Sequence, residues 1–551
     1  MTHKEMTEVE RPWYAFYDQE VPKTLTYPIP LPNELFNRNA KSHPDKPFLI
    51  YQDEKLSYRE CNSLARRLAN GLLQLGVKKG DRVTLMMPNI PPYPLLLLAC
   101  YKIGAIAVPT NPQFTVPELT GQFKDSGTET VAVRASFADK VIKIRNAGST
   151  RVKRIIIVPD LGAGSNLASM PEIYEFDALL AESADLEPDI VVEPEDLAVL
   201  QYTGGTTGIP KGCMITHANM AVAAKQVGIW YGAGIPSGQI RTLATIPLYH
   251  SYGRACNIDL ALFSAGTIVL VTQPTTDNIL AAINQHQPNI WAAVPAMIHG
   301  IINHPGTGKS KIRSVKEVLS GGSPLAVEIL RKFEELSGAP VIEGFGLSEV
   351  PYGIAYNPVN GVHKPGSVGV PMPNVDVRIV DVETGTKDMP AGAPGEMIFK
   401  TPQAVSGYWH NPGETAGVLR DGWLYTGDIG YMDEDGYIFI VDRKKDVLLC
   451  SGFNVYPREI DEVLYTNPKV LEACTIGVPD EKRGETVKSC VILKPGESAT
   501  EQELIAYCRE RLAPYKVPKI LEFIGQLPRT PLGKPDRKAL RALDEAKRKQ
   551  S

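Results

Sequence analysis

The stretch Gln201-Tyr-Thr-Gly-Gly-Thr-Thr-Gly-Ile-Pro-Lys-Gly212 packs into one short loop the residue types that hold a phosphate. Gly204, Gly205, Gly208 and Gly212 let backbone N–H groups turn inward and approach an anion closely. Thr203, Thr206 and Thr207 add hydroxyl donors, and Lys211 supplies a positive charge. The apolar run at 197–200 reads as a buried strand feeding the loop. The spacing excludes a Walker loop, since G-x-x-x-x-G-K-[ST] would need a glycine where Pro210 stands and a hydroxyl where Gly212 stands. What remains is a phosphate cradle of another kind.

Other candidates for chemistry lie downstream. In Pro340-Val-Ile-Glu-Gly-Phe-Gly-Leu-Ser-Glu349 a strand is predicted to enter a glycine-flanked turn. There Phe345 can present its ring to a flat heterocycle, and Ser348 with Glu349 offers a hydroxyl and a carboxylate to a hard cation bridging phosphates. Val318-Leu-Ser-Gly-Gly322 is a second strand entering a tight turn. Thr426-Gly427-Asp428 is predicted to end a strand on an aspartate, a geometry suited to accepting two hydroxyls of a ribose. In Ile438-Phe-Ile-Val-Asp-Arg-Lys-Lys-Asp446 an apolar strand turns abruptly into charges, and Lys534 stands at the tip of a loop bounded by proline and glycine. His250, in Pro247-Leu-Tyr-His250, has no role assigned by residue type alone, because a lone histidine is commonly structural.

The elements that must position these groups alternate. An amphipathic helix is predicted over 58–75, a strand over 83–87, a helix over 93–103 and a strand over 105–108. Strand-like runs recur at 155–158, 243–246 and 267–271, with a helix over 326–336. Such alternation predicts a large α/β body with mostly parallel sheets. Residues 447–551 carry their own strands and helices and predict a small α+β domain. The expected organisation is therefore 1–441, a hinge at 442–446, and 447–551. Before all this, Trp13, Tyr14, Phe16 and Tyr17 and the prolines at 22, 28, 30 and 32 forbid a continuous helix and suggest an arm laid over the body.

Composition bounds the class. A chain of 551 residues exceeds what one core supports, and 43% hydrophobic with 22% charged residues is ordinary for a globular protein. A net charge of −4 gives no support for nucleic acid as a partner. The eight cysteines show no C-x-x-C pair, so neither a zinc site nor a disulfide framework is expected. Without an apolar segment long enough for a signal peptide or a membrane span, a cytoplasmic protein is expected, and peripheral membrane contact and homo-oligomers are left open.

In wording and order, from Thr203 to Lys534, these motifs resemble those of the adenylate-forming enzymes, which include acyl-CoA synthetases, peptide-synthetase adenylation domains and firefly luciferase. The N-terminal arm resembles that of bacterial long-chain fatty-acid CoA ligases. The resemblance implies ATP, Mg2+ and CoA, an acyl-AMP intermediate, and a mobile C-terminal domain. It implies catalytic roles for Lys534, Glu349 and Lys211, with Glu349 on the metal. Nucleotide binding would fall to the loop 203–208 with Lys211, to Ser320, Gly321 and Gly322, to Glu343, Gly344, Phe345, Gly346 and Ser348, and to Asp428, Arg443 and Lys534. The family commonly has tyrosine and threonine where this chain has Phe345 and Ser348, and the replacements keep the ring and the hydroxyl. His250, Ser251, Tyr252, Cys256, Gly344 and Pro351 would line the acyl pocket, Ser451 and Gly452 the CoA tunnel, and Lys445 would be the pivot. The expected acid is a medium- or long-chain fatty acid, with an aryl or branched acid as competitor. A ligase loading a separate carrier protein is an alternative, and an ATP hydrolase or ATP-binding module without acid activation is a reading from another class.

Overall fold

The computed structural model describes residues 11–160, 170–203, 211–232, 234–322, 325, 327–450, 453–480, 484–529 and 535–550. It groups into two compact units, residues 1–376 with 400–424, and residues 377–399 with 425–551.

In the first unit, short aliphatic runs such as Arg82–Met86, Ile106–Pro109, Thr130–Arg134 and Arg154–Val158 are buried along nearly their whole length, which is the signature of parallel strands covered on both faces. They lie in a seven-stranded sheet that is parallel from Ile173–Glu175 through to Leu197–Tyr202, where the strand Gly212–Thr216 closes the edge antiparallel. A nine-stranded sheet forms the other half. Six of its strands run parallel: Pro47–Tyr51, Thr267–Leu270, Arg241–Ala244, Ile290–Ala293, Glu317–Ser320 and Val341–Leu347. Helices start where the sequence caps them. Ser57 accepts from the N–H of Glu60 while the Glu60 carboxylate accepts from Ser57, opening the helix Tyr58–Gln74, and Thr216 with Asn219 does the same for His217–Tyr231. Trp291, Val318, Val341 and Phe333 centre the apolar core beneath the larger sheet.

The predicted arm is held within this unit. Arg11 pairs with Asp376 at 2.8 Å, the Tyr17 hydroxyl donates to the Pro371 carbonyl, and the Asp18 carboxylate accepts from the N–H groups of Val359 and Asn360. Trp13 is buried.

The strand Trp423–Met432, which lies in the second unit from residue 425 on, pairs there antiparallel with Ile438–Arg443 across the turn at 433–436. A separate sheet pairs the long strands Val470–Asp480 and Gly484–Leu493, with Ile520–Phe523 parallel to the latter, over a core of Ile460, Leu464, Val487, Val491 and Leu504. The α/β body with a smaller α+β companion is the architecture that the alternation implied.

Two local expectations fail. Phe345 was expected in a turn, but the strand Val341–Leu347 runs through it, and only Ser348 and Glu349 separate that strand from Val350–Tyr356. The flanking glycines serve close packing instead: a Cβ on Gly344 would lie 2.0 Å from the Tyr356 ring, and one on Gly346 would lie 2.7 Å from the Gly353 backbone. Asp428 likewise does not end its strand, which continues to Met432 because the hairpin partner Ile438–Arg443 supplies hydrogen bonds that far. Among the described residues, no helix is long and apolar enough to cross a membrane.

Candidate active site

The residues on either side of the Gly-rich loop pair antiparallel. Tyr202 pairs with Gly212, and the Thr203 N–H donates to the Lys211 carbonyl at 3.0 Å, so the loop leaves and re-enters the sheet at one point. Gly204, Gly205, Thr206, Thr207 and Gly208 lie outside the described residues, as do Ser451, Gly452 and Lys534. The segment 407–409 adds along the same edge, since Met214 N–H donates to the Gly407 carbonyl and Trp409 N–H to the Gly212 carbonyl.

This edge gathers charged groups at the foot of the loop. Lys211 Nζ donates to Glu414 Oε2 at 2.6 Å and stands 5.3 Å from the centre of the Tyr408 ring. The Tyr408 hydroxyl donates to Glu349 Oε1 at 2.5 Å, and the Glu349 carbonyl accepts from Val405 N–H. Burial and the neighbouring Glu349 carboxylate push the Tyr408 hydroxyl well above its usual range, so it remains a donor. Glu349 is half-buried at the tip of its two-residue connection, with Ser348 beside it.

Ser320 is buried at the end of its strand, and Gly322 has φ of 85°, a left-handed conformation that favours glycine. Gly321 leaves room for the Tyr252 ring, which an added Cβ would approach to 3.1 Å. Glu343 Oε1 accepts from Leu325 N–H, and Phe345 is buried at 8% exposure.

The residues expected around an acyl group share one stretch. His250 Nδ1 accepts from the Tyr252 N–H at 3.2 Å and so caps the helix Ser251–Arg254; the Tyr252 hydroxyl donates to the carbonyls of Leu319 and Ala293. Cys256 and Pro351 are buried, and burial pushes the Cys256 thiol up, away from reactivity.

In the second unit, Asp428 faces Arg443 in the hairpin register, Oδ1 lying 3.5 Å from Nε. Lys445 sits in the short turn Lys444–Asp446, its ammonium pulled below the usual lysine range by burial and by Arg443. Among the described residues no three His, Cys, Asp or Glu side chains cluster as a metal cage. A single carboxylate such as Glu349 suits an ion that keeps its waters and shares substrate phosphate oxygens, which is the habit of Mg2+.

Residue-type reasoning missed Tyr408 and Glu414. The available signal was Gly407-Tyr-Trp-His-Asn411, a turn with three ring side chains in a row, but its partners lie 59 to 203 residues away in the chain.

Comparison with known proteins gives one direction. A family model described as AMP-binding enzyme matches residues 36–409, and one described as AMP-binding enzyme C-terminal domain matches 459–534. A long-chain-fatty-acid--CoA ligase of Bacillus subtilis is 37% identical over 542 residues, covering 95% of this chain and 96% of its own length. Among solved structures, the anthranilate CoA ligase AuaEII in complex with anthranoyl-AMP superposes with a TM-score of 0.85 at 26% identity, covering 95% of this chain and 99% of its own. ATP-bound MatB from Rhodopseudomonas palustris gives 0.85 at 29% identity, covering 93% and 99%.

Proposed function

The chain belongs to the AMP-binding enzyme family, and from that premise we propose that it is an ATP-dependent acid–CoA ligase acting on a medium- or long-chain fatty acid. The observation that carries the reading is the cluster at the foot of the Gly-rich loop, where Lys211 and a Glu349 carboxylate fixed by Tyr408 stand together. A phosphate cradle needs the first, and a phosphate-bound cation needs the second.

The reaction has two halves. A carboxylate oxygen attacks the α-phosphorus of ATP, the bond to pyrophosphate breaks in line, and acyl-AMP forms. A thiolate of CoA then attacks the acyl carbon, and AMP leaves with the former carboxylate oxygen. No protein nucleophile takes part. In the first half, negative charge grows on the α-phosphate and the leaving pyrophosphate, so donors and cations aimed there lower the barrier. The loop 203–211 and Lys534 supply them. Glu349 would hold Mg2+, which when bound neutralises phosphate charge. Asp428 and Arg443 take the ribose, Phe345 and the strand ends at 320–322 and 343–346 the adenine, and His250, Ser251, Tyr252, Cys256, Gly344 and Pro351 the acyl group. Lys445 is the pivot of a hinge at 442–446, with Lys534 serving the first half and Gly452 giving the pantetheine arm room in the second. An aryl acid is the second reading, favoured by the likeness to an anthranilate CoA ligase.

Separate assays of the halves test this. Lys534→Ala should lose acyl-AMP formation by about a hundredfold or more while thioester formation from supplied acyl-AMP persists. Equal loss of both halves would sink the assignment of Lys534.

A further inference from the structure

The helical run that starts after His250 carries a second polar centre, built from groups the reaction above does not use. Arg254 ends the helix Ser251–Arg254 and Asp259 ends the π-helical turn Ala255–Asp259. The wider π turn brings residues five apart closer to one face than an α-helix does. Both side chains are shut away from the surface, at 0% and 1% exposure, with Arg254 Nε 3.4 Å from Asp259 Oδ2. The Tyr352 hydroxyl donates to that same oxygen.

The pair is left incomplete. Nε, Nη1 and Nη2 of Arg254 and Oδ1 of Asp259 have no hydrogen-bond partner among the described residues, and neither have the buried hydroxyls of Tyr93 and Tyr101. A buried guanidinium is tolerated when its N–H groups are satisfied, so this centre calls for a further polar group, a water or a ligand. Burial pushes the Asp259 carboxyl up to about 6, with Arg254 opposing, in keeping with a carboxylate held without its full set of donors.

We propose that Arg254 and Asp259 form the polar end of the acyl pocket and select an acid that carries a hydroxyl group remote from its carboxylate. The proposal rests on the ligase reading, which places Ser251, Tyr252 and Cys256 of the same helical run along that pocket. The choice of hydroxyl follows from charge and hydrogen-bond inventory. Arg254 and Asp259 together are neutral, so a second substrate carboxylate would bring an unbalanced charge into a buried place. A plain alkyl or aryl end would leave every one of these groups unpaired. A hydroxyl accepts from Arg254 and donates to Asp259 Oδ1, leaving the charge unchanged.

The test compares matched acids: dodecanoate with 12-hydroxydodecanoate, cinnamate with 4-hydroxycinnamate, and dodecanedioate as the charged control. The readout is kcat/KM for thioester formation by the full chain. The wild type should prefer the hydroxylated member of at least one pair by about tenfold or more. The double variant Arg254→Met with Asp259→Leu should erase that preference, bringing the kcat/KM ratio of the hydroxylated to the plain member of the pair close to one. Should the double variant not fold, Arg254→Lys, which keeps the charge and removes the planar fork, should weaken the preference. Equal turnover of both members of each pair, a preference that survives the variants, or a preference for the diacid would overturn the proposal. Brisk turnover of plain acids without discrimination removes only the polar subsite, whereas no pyrophosphate release with any acid removes the ligase reading beneath it.

Discussion

Two arginines in this chain, one half-buried and one fully buried, have opposite surroundings. Arg537, at the start of the helix Arg537–Gln550, donates through Nη2 to Asp461 at 2.7 Å and through Nε to the Thr475 carbonyl at 3.1 Å, with Asp442 3.6 Å from Nη1. Asp442 in turn accepts from the N–H groups of Arg443 and Arg458. Arg254 has one carboxylate at 3.4 Å and no hydrogen bond to its guanidinium among the described residues. The first arginine ties a helix to two neighbouring elements, so its N–H groups are spent on structure. The second holds its donors in reserve. Where an arginine closes on buried carboxylates with its N–H groups satisfied it reads as architecture, and where a buried one is not satisfied it reads as a place for a further polar group.

Breaking the satisfied member should give the largest effect. Arg537→Met leaves Asp461 and Asp442 buried without their cation and should lower the stability of the second unit by about 3–5 kcal/mol in urea unfolding, with the order of acids turned over unchanged. A change in acid preference without loss of stability would erase the contrast.

The neighbourhood of Arg254 should respond to acid. His217, its ring edge-on to Tyr101 at 5.5 Å, is pulled down to about 4 by burial, with Asp196 opposing. The unfolded chain takes up this proton near pH 6.5 and the folded chain only near 4, so the stability contributed by neutral His217 is full above 6.5 and is lost as pH falls toward 4. Relative to wild type, His217→Gln should gain about 3 kcal/mol between pH 7 and pH 4, read from unfolding curves at each pH.

Smaller again is the effect expected at the half-exposed cluster beside the loop, a third setting between the two. Tyr408→Phe removes the donor that fixes Glu349, and should raise the Mg2+ concentration for half-maximal pyrophosphate release by about tenfold with the chain fully folded. The smallest change should come from the neutral exchange at the reserve site. Arg254→Met with Asp259→Leu should alter stability by no more than about 1 kcal/mol or raise it, since replacing an incomplete buried ion pair with apolar groups is often neutral or better. A loss as large as that at Arg537 would make Arg254 structural.

Much of the scaffold was legible because it is local. The amphipathic helix over 58–75, the aliphatic runs of the parallel strands and the glycines of the phosphate loop announce themselves within a few residues. The strand continuing through Phe345 was not, because its extension depends on pairing with Val350–Tyr356 rather than on its own glycine-rich sequence. Nor was Asp428 in mid-strand, for the same reason. Tyr408 and Glu414 were hidden by distance along the chain, and Arg254 by the ordinary look of one arginine in a helix. What marks it is a charge at 0% exposure whose guanidinium has no hydrogen-bond partner among the described residues, and partners are a property of the fold.

The claim on which the rest stands is that an acid is activated at the expense of ATP and passed to CoA. Pyrophosphate release from ATP and magnesium, measured over acetate, decanoate, palmitate and benzoate with and without CoA, tests it directly. The account predicts release that requires an acid and turns over repeatedly only when CoA is present. Release at the same rate without any acid would contradict it and make the chain an ATP hydrolase.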